Sequence, residues 1–593
     1  MSIESLLAQL EAQDLIRRAP DGESYIFKHA LTQDTVYESL LRKKRRALHR
    51  QVAETYEQAF QDQLEPYTPL LARHYAAAGD DPKTLEYATR SGELTARVYA
   101  NAEAITHYSL ALEAAKRLAL EDSEQWIMLY IQRGRAYELT GRYQEALANY
   151  EEMESEARVR QDRRLELAAV IALASLYSLG GYKMDSGRAE AFCDHALLLA
   201  QELGDHKAQA RILWTLLFLN TYLTNRPQRA VEYGEQSLAI AREYNLREQM
   251  AYTRHNLGYA LVQIGKMKRA AENFAQAREL WRELNNLPLL ADNLAVSAMN
   301  EFVMGQGEGT LPRVQEAARI NESIDNPWGM TLSSFVQGVI HTELGEPDRA
   351  IQAFRDSIRT GDPVHAMGMA LSARCYLADL LGRLGAIDRG IETAQDAVAY
   401  ANANFGWWEP WARAVLTKLY LANGDRVQAE QASREGWPES LADYFGRFIP
   451  PGGMSTAAAR IELALVQQGF VRALELAGEL LRLTDENDLA LYNASARYLK
   501  GKILLAQSQT EEAYSLFESA RERAEALDAR FVLLDTLIAL VAVETRRGHP
   551  DRAREHQERA REVIQFIGAH TPADLQPLFL GMTRLEEILH ENS

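Results

Sequence analysis

Cysteine is almost absent: the 593 residues contain only Cys193 and Cys375, far apart and beside apolar neighbours on predicted helices. A disulfide framework is excluded. Two buried free thiols in a reduced, cytoplasmic setting are expected. Long apolar runs are missing as well. The longest, FVLLDTLIALVAV at 531–543, contains Asp535 and is too short to cross a bilayer; it reads as a buried repeat helix. The opening MSIESLLAQLEAQ carries acids where a secretion signal needs bases. A basic excess is also lacking: 65 Lys and Arg stand against 83 Asp and Glu, a formal charge of −18. An acidic surface of this size argues against non-specific nucleic-acid binding and against anionic membranes. Strand-like alternation nearly disappears after residue 30.

Catalytic signatures are missing in the same way. A P-loop needs GxxxxGK[ST], so that backbone N–H groups cradle phosphates and the lysine meets the terminal ones. The two Gly-Lys pairs, Gly265-Lys266 and Gly501-Lys502, are followed by Met267 and Ile503. No HExxH, paired CxxC or GxSxG motif occurs. No catalytic residue, metal ligand or cofactor is assigned, and the chain is expected to be enzymatically silent.

What is present is a repeat. GEPDRA at 345–350 returns as GHPDRA at 548–553. Partial copies include GRYQEA at 141, NRPQRA at 225, GKMKRA at 265 and GAIDRG at 385. Their first positions run Gly141, Gly181, Asn225, Gly265, Gly305, Gly345, Gly385, Gly424, Gly469, Ser508 and Gly548. Most steps are 39 or 40 residues, with one of 44 and one of 45. A fixed period of this size marks a solenoid. Glycine and asparagine suit a left-handed turn, and the flanking apolar residues recur at helical spacing. Each unit therefore reads as helix, tight turn, helix. Pro347 and Pro550 fall at the first position of the second helix, where a missing N–H costs nothing. Small residues such as Ala350 and Ala513 let the paired helices approach. Phe354 and Phe517, four places on, fill the space beside them.

This spacing, with NLGYA at 256–260 and YLKGKILLAQ at 498–507, resembles the tetratricopeptide repeat over about residues 70–565. The period exceeds that family's usual length, which implies helices lengthened by half a turn to a turn. The resemblance implies an all-α, right-handed superhelical solenoid of about twelve helical hairpins.

Residues 1–62 differ. An amphipathic helix, a Pro20-Asp21-Gly22 turn between short extended runs and a long helix from about Leu31 to Phe60 read as the closing half of a winged helix, cut at its start. FKHALTQDTVYESLLRKKRRALHRQVAETYE at 27–57 resembles the junction after the ATPase core in bacterial STAND-class proteins, which are signal-transduction ATPases. The stretch 69–96 and the tail 575–589 continue that resemblance. It implies an upstream ATPase module and, in many members, an adenylate or guanylate cyclase domain before it. It also implies a contact between His29 and nucleotide phosphates when such a core is present. The alternative for His29 is a structural histidine beside a strand end.

Other features have two readings each. RKKRR at 42–46 spreads its charges around a helix, as a solvated face or a nucleic-acid contact. Trp407, Trp408 and Trp411 form either core packing at a helix mouth or an exposed binding patch. RFIPPGGMST at 447–456 reads as a joint or extended loop. It separates a first array part, 66–446, from a second, 457–570; residues 571–593 read as a capping helix. Asn220, Asn256, Asn293 and Asn300 lie on first helices, where asparagine is mildly unfavourable. They either recognise a peptide backbone in the groove or tie neighbouring helices together. The sequence is thus read as a non-catalytic scaffold or ligand-sensing arm with a protein or peptide partner. The alternatives are a fragment of a cyclase–ATPase polypeptide and a winged-helix transcription regulator.

Overall fold

The computed structural model describes residues 2–19, 24–179, 185–224, 226–364, 366–404, 408–434, 437, 441 and 450–590. It is an all-α, tetratricopeptide-like repeat solenoid, apart from one two-stranded hairpin among the described residues. The chain divides into two compact units, Met1–Asp205 and His206–Ser593. The boundary falls inside the stretch 66–446 expected as one continuous part.

In the first unit, Ile3–Ala12 is a helix capped by the Ser2 side chain. Strands Ile16–Arg18 and Tyr25–Phe27 pair antiparallel, with Ile16 opposite Phe27. The Pro20-Asp21-Gly22 turn lies outside the described residues. The single helix expected over 31–60 is two helices, Ala30–Ser39 and Arg42–Ala59. Leu40 and Leu41 between them have ψ of 133° and 140°. The Ser39 hydroxyl turns back onto the Val36 carbonyl and closes the first helix there. Helix pairs then follow from Thr68–Ala78 to Ser186–Glu202.

The second unit shows the repeat at its most regular. Arg247–Gln263 and Met267–Glu283 are both 17 residues long and separated by three, as are Met267–Glu283 and Leu287–Val303. That arrangement produces the 40-residue period. Left-handed residues sit at both turns, Gly265 at φ 71° and Asn285 at φ 51°. Ala350, Phe354, Ala513 and Phe517 are fully buried, as the spacing predicts. A second device recurs sixteen residues apart: a first-helix glycine receives a second-helix aromatic ring. A Cβ on Gly338 would lie 2.5 Å from the Phe354 ring, and Gly134/Tyr150, Gly258/Phe274 and Gly501/Phe517 repeat the clash. Close packing leaves no room for even one methyl group.

Three further expectations are corrected. The turn expected at Gly469 is made by Gln468, at φ 57°, while Gly469 caps the next helix at φ −82°. Of the joint or loop expected at 447–456, residues 447–449 lie outside the described residues, and 450–456 are the opening turns of the helix Pro450–Val466. Prolines at the first two positions of a helix forfeit no internal hydrogen bond, so Pro450-Pro451 start this helix rather than prevent it. The single capping helix over 571–593 is two short helices, Gln576–Leu580 and Thr583–His590, separated at Gly581-Met582.

The second unit also returns on itself. A Cβ on Gly265 would collide with Asn487, one on Gly305 with Leu527, and one on Gly345 would press on Ile567, each 222 residues further on. That offset is about five and a half periods, so turns on one edge of the earlier repeats meet turns on the other edge of the later ones. Asp348 N–H donates to the His570 carbonyl at 2.8 Å, and Arg389 pairs with Asp574 at 2.8 Å. One continuous core joins Phe302, Val339 and Leu384 to Leu489, Phe531 and Phe579.

Candidate functional site on three first helices

Helices His206–Tyr222, Arg247–Gln263 and Leu287–Val303 are the first helices of three successive units. Trp214, Phe218 and Tyr222 stand four residues apart on one face of the first. Ring centroids lie 6.2 Å apart for Trp214–Phe218 and 4.7 Å for Phe218–Tyr222. Tyr259 of the second helix meets Tyr222 at 5.7 Å, and Tyr252 meets Trp214 at 5.4 Å. These rings are only partly covered, unlike the sealed rings of Phe274 and Phe354.

A polar chain runs behind them. His255 Nε2 lies 2.9 Å from Asp292 Oδ2, and Asn293 Nδ2 lies 3.2 Å from His255 Nδ1. The carboxylate fixes the ring tautomer: Nε2–H donates to Asp292, which leaves Nδ1 to accept from Asn293. Asn256 donates to the Tyr252 carbonyl at 3.1 Å and accepts from the Tyr222 hydroxyl at 3.4 Å. Gln263 Nε2 donates to the Thr221 carbonyl at 3.2 Å. Burial pushes the Tyr222 and Tyr259 hydroxyls well above their ordinary range, and the Asp292 charge adds to it. Both hydroxyls therefore remain protonated at physiological pH.

Five buried polar atoms here have no protein partner: Trp214 Nε1, Gln263 Oε1, Asp292 Oδ1, Asn293 Oδ1 and Asn300 Oδ1. Buried polar groups are ordinarily satisfied, because leaving one unpaired costs about 1–3 kcal/mol. Their concentration on three adjacent helices marks a buried polar cluster with hydrogen-bonding capacity in reserve, next to the partly covered rings.

The four asparagines expected in the groove are all buried, and each bonds within the array. Asn220 is spent locally: it donates to the Leu216 carbonyl at 2.8 Å and accepts from Thr224 at 3.3 Å. Asn300 reaches the Met267 carbonyl at 3.5 Å. Asn293 and Asn300 each keep an oxygen without a partner, whereas Asn256 uses both ends of its amide. The tryptophans belong elsewhere. Trp411 is 3% exposed, packed with Leu371, Cys375 and Val415. Trp408 is half-buried against it at 6.1 Å, and Trp407 lies outside the described residues. Trp411 is thus a core residue, because its large ring fills the mouth of the helix pair. His29 is exposed at the start of Ala30–Ser39 and makes no capping bond there. Arg42, Lys43, Lys44 and Arg46 are exposed to solvent.

Sequence reading missed Trp214, Phe218, Tyr222, His255, Tyr259, Gln263 and Asp292. A usable signal was present: Trp214, Phe218 and Tyr222 stand at i, i+4 and i+8 of one first helix. Neither thiol is poised for chemistry, since burial pushes Cys193 up to about 12 and raises Cys375 further. Among the described residues, no group of three or more His, Cys, Asp or Glu side chains is placed to hold a metal ion. Nor is any helix among them long and apolar enough to cross a membrane.

No family model matches the chain, and no curated protein matches it. Among solved structures it is similar to yeast Tom70, at 14% identity over 86% of this chain and 99% of that one, with a TM-score of 0.31. It is similar to a Rap protein complexed with competence and sporulation factor, at 10% identity over 69% of this chain and 99% of that one, TM-score 0.40. It is also similar to human IFIT1, solved as a dimer with m7Gppp-AAAA, at 16% identity over 74% and 90%, TM-score 0.37.

Proposed function

We propose that the chain is a non-catalytic scaffold or sensing arm that binds a protein segment or peptide along the partly covered aromatic face of His206–Tyr222, Arg247–Gln263 and Leu287–Val303. One observation carries this reading: five buried polar atoms without partners gather beside half-covered aromatic rings on these three helices. A peptide brings both what the atoms lack and what the rings accept, namely N–H groups and side-chain area. Its partner-bound state is relayed, in this reading, to an ATPase module of the STAND class. The resemblance of residues 27–57 supports that context, and it gives the exposed His29 a nucleotide phosphate to meet. The two buried free cysteines suit a cytoplasmic setting.

The test is selection from a random 12-residue peptide library against the purified chain. Selected peptides are expected to bind at least tenfold more weakly to Phe218→Ala and Tyr259→Ala, with both variants melting as cooperatively as the parent. Undiminished binding to both variants would place the ligand elsewhere.

A further inference from the structure

The atoms without partners are nearly all of one kind. Four of the five, Gln263 Oε1, Asp292 Oδ1, Asn293 Oδ1 and Asn300 Oδ1, are oxygens that accept hydrogen bonds. Two of these are fixed by chemistry rather than by choice of amide orientation. Asp292 presents a carboxylate oxygen whichever way it turns. In the neutral His255 ring, with Nε2–H on Asp292 and Nδ1 bare, Asn293 offers its NH2 to the ring, which leaves its oxygen free. A ligand that satisfies these atoms must bring hydrogen-bond donors. A carboxylate or phosphate would add acceptors to acceptors.

Charge points the same way. Asp292 is the one formal charge in the cluster, and its side chain is only 13% exposed. Its negative charge is felt at both Tyr222 and Tyr259. The Tyr222 and Tyr259 rings beside it present π faces, which attract cations. The chain as a whole carries a formal charge of −18, which draws cations toward it over a distance set by salt.

Resting on the peptide-binding reading above, we infer that this site takes a cationic nitrogen group of the bound peptide. Asp292 receives its charge, the amide oxygens of Asn293 and Gln263 receive its N–H groups, and the tyrosine rings flank it. The group is an arginine or lysine side chain, or the peptide's amino terminus.

Fluorescein-labelled random dodecamer pools test this by anisotropy. The pools carry Arg, Lys, acetyl-lysine, Ala or Glu at the central position, each with a free or an acetylated amino terminus. The expected result is at least tenfold tighter binding of cationic pools than of Glu and acetyl-lysine pools. A preference that persists with acetylated termini assigns the group to a side chain; one that needs the free terminus assigns it to the amino end. Asp292→Asn keeps the shape and an acceptor for His255, and it should reduce the preference to under twofold. Tyr259→Leu should weaken every pool, and the cationic pools about threefold to tenfold more than the Ala pools. Binding without charge preference, or a preference that survives Asp292→Asn, would overturn the inference while leaving peptide binding intact. If no pool binds at all, the peptide-binding reading fails, and this inference fails with it.

Discussion

Gly548 and Gly385 hold the same place in their repeats and nearly the same backbone, with φ of 76° and 77°. Their surroundings differ. A Cβ on Gly548 would meet nothing within 4 Å, whereas one on Gly385 would lie 2.7 Å from the Leu578 carbonyl oxygen. Gly141 and Gly424 are open like Gly548; Gly265 and Gly305 are covered by later repeats like Gly385. A single residue type therefore meets two demands. At every such turn it supplies a left-handed backbone. At the covered turns it also lets a distant part of the chain approach. The covered turns, Gly265 among them, have spent their surface on the chain itself, whereas the faces of the first helices His206–Tyr222, Arg247–Gln263 and Leu287–Val303 retain polar atoms without partners.

The largest effect expected from breaking this comparison comes from the covering segment. Phe579 is fully buried in the core that joins early and late repeats. Phe579→Ala should cost about 3–5 kcal/mol in denaturant unfolding. A loss under about 1 kcal/mol would mean that residues 571–590 do not cover the earlier turns.

Next is the pair of glycines. Gly548→Ala should cost only the left-handed strain, about 1–2 kcal/mol. Gly385→Ala adds a collision with backbone that cannot rotate away, a further 1–3 kcal/mol or so. Equal losses would remove the distinction between open and covered turns.

The smallest effect belongs to the ion pair between Arg389 and Asp574, whose side chains are 43% and 64% exposed. Arg389→Ala should cost less than about 1 kcal/mol, and the loss should fade at high salt. A cost matching that of Gly385→Ala would make charge, rather than close packing, the force that holds the covering.

Much of the repeat was legible because its signals are local. A left-handed glycine, a small residue five places on and an aromatic after it specify a helical hairpin without reference to the rest of the chain. Gly469 misled because it adjoins Gln468, which takes the left-handed position instead; from there Ser508 is again 40 residues away. Leu40-Leu41 misled because no proline or glycine marks the break. The covering of the turns was not legible at all. It depends on small rotations summed over about five and a half units, and no short stretch records that sum. The site was half legible. Asparagines on helices announced buried polar chemistry, and Asn293 belongs to it. Its partner His255 comes from the preceding repeat, and only the fold brings that ring to Asn293 and Asp292.

Hydrogen–deuterium exchange of the full chain, with and without a selected library peptide, tests the central claim most directly. The account predicts that added protection concentrates in 206–222, 247–263 and 287–303, with the covered stretch 327–390 unchanged. Protection that appears over 327–390 or in the first unit instead, with those three helices unaffected, would contradict it.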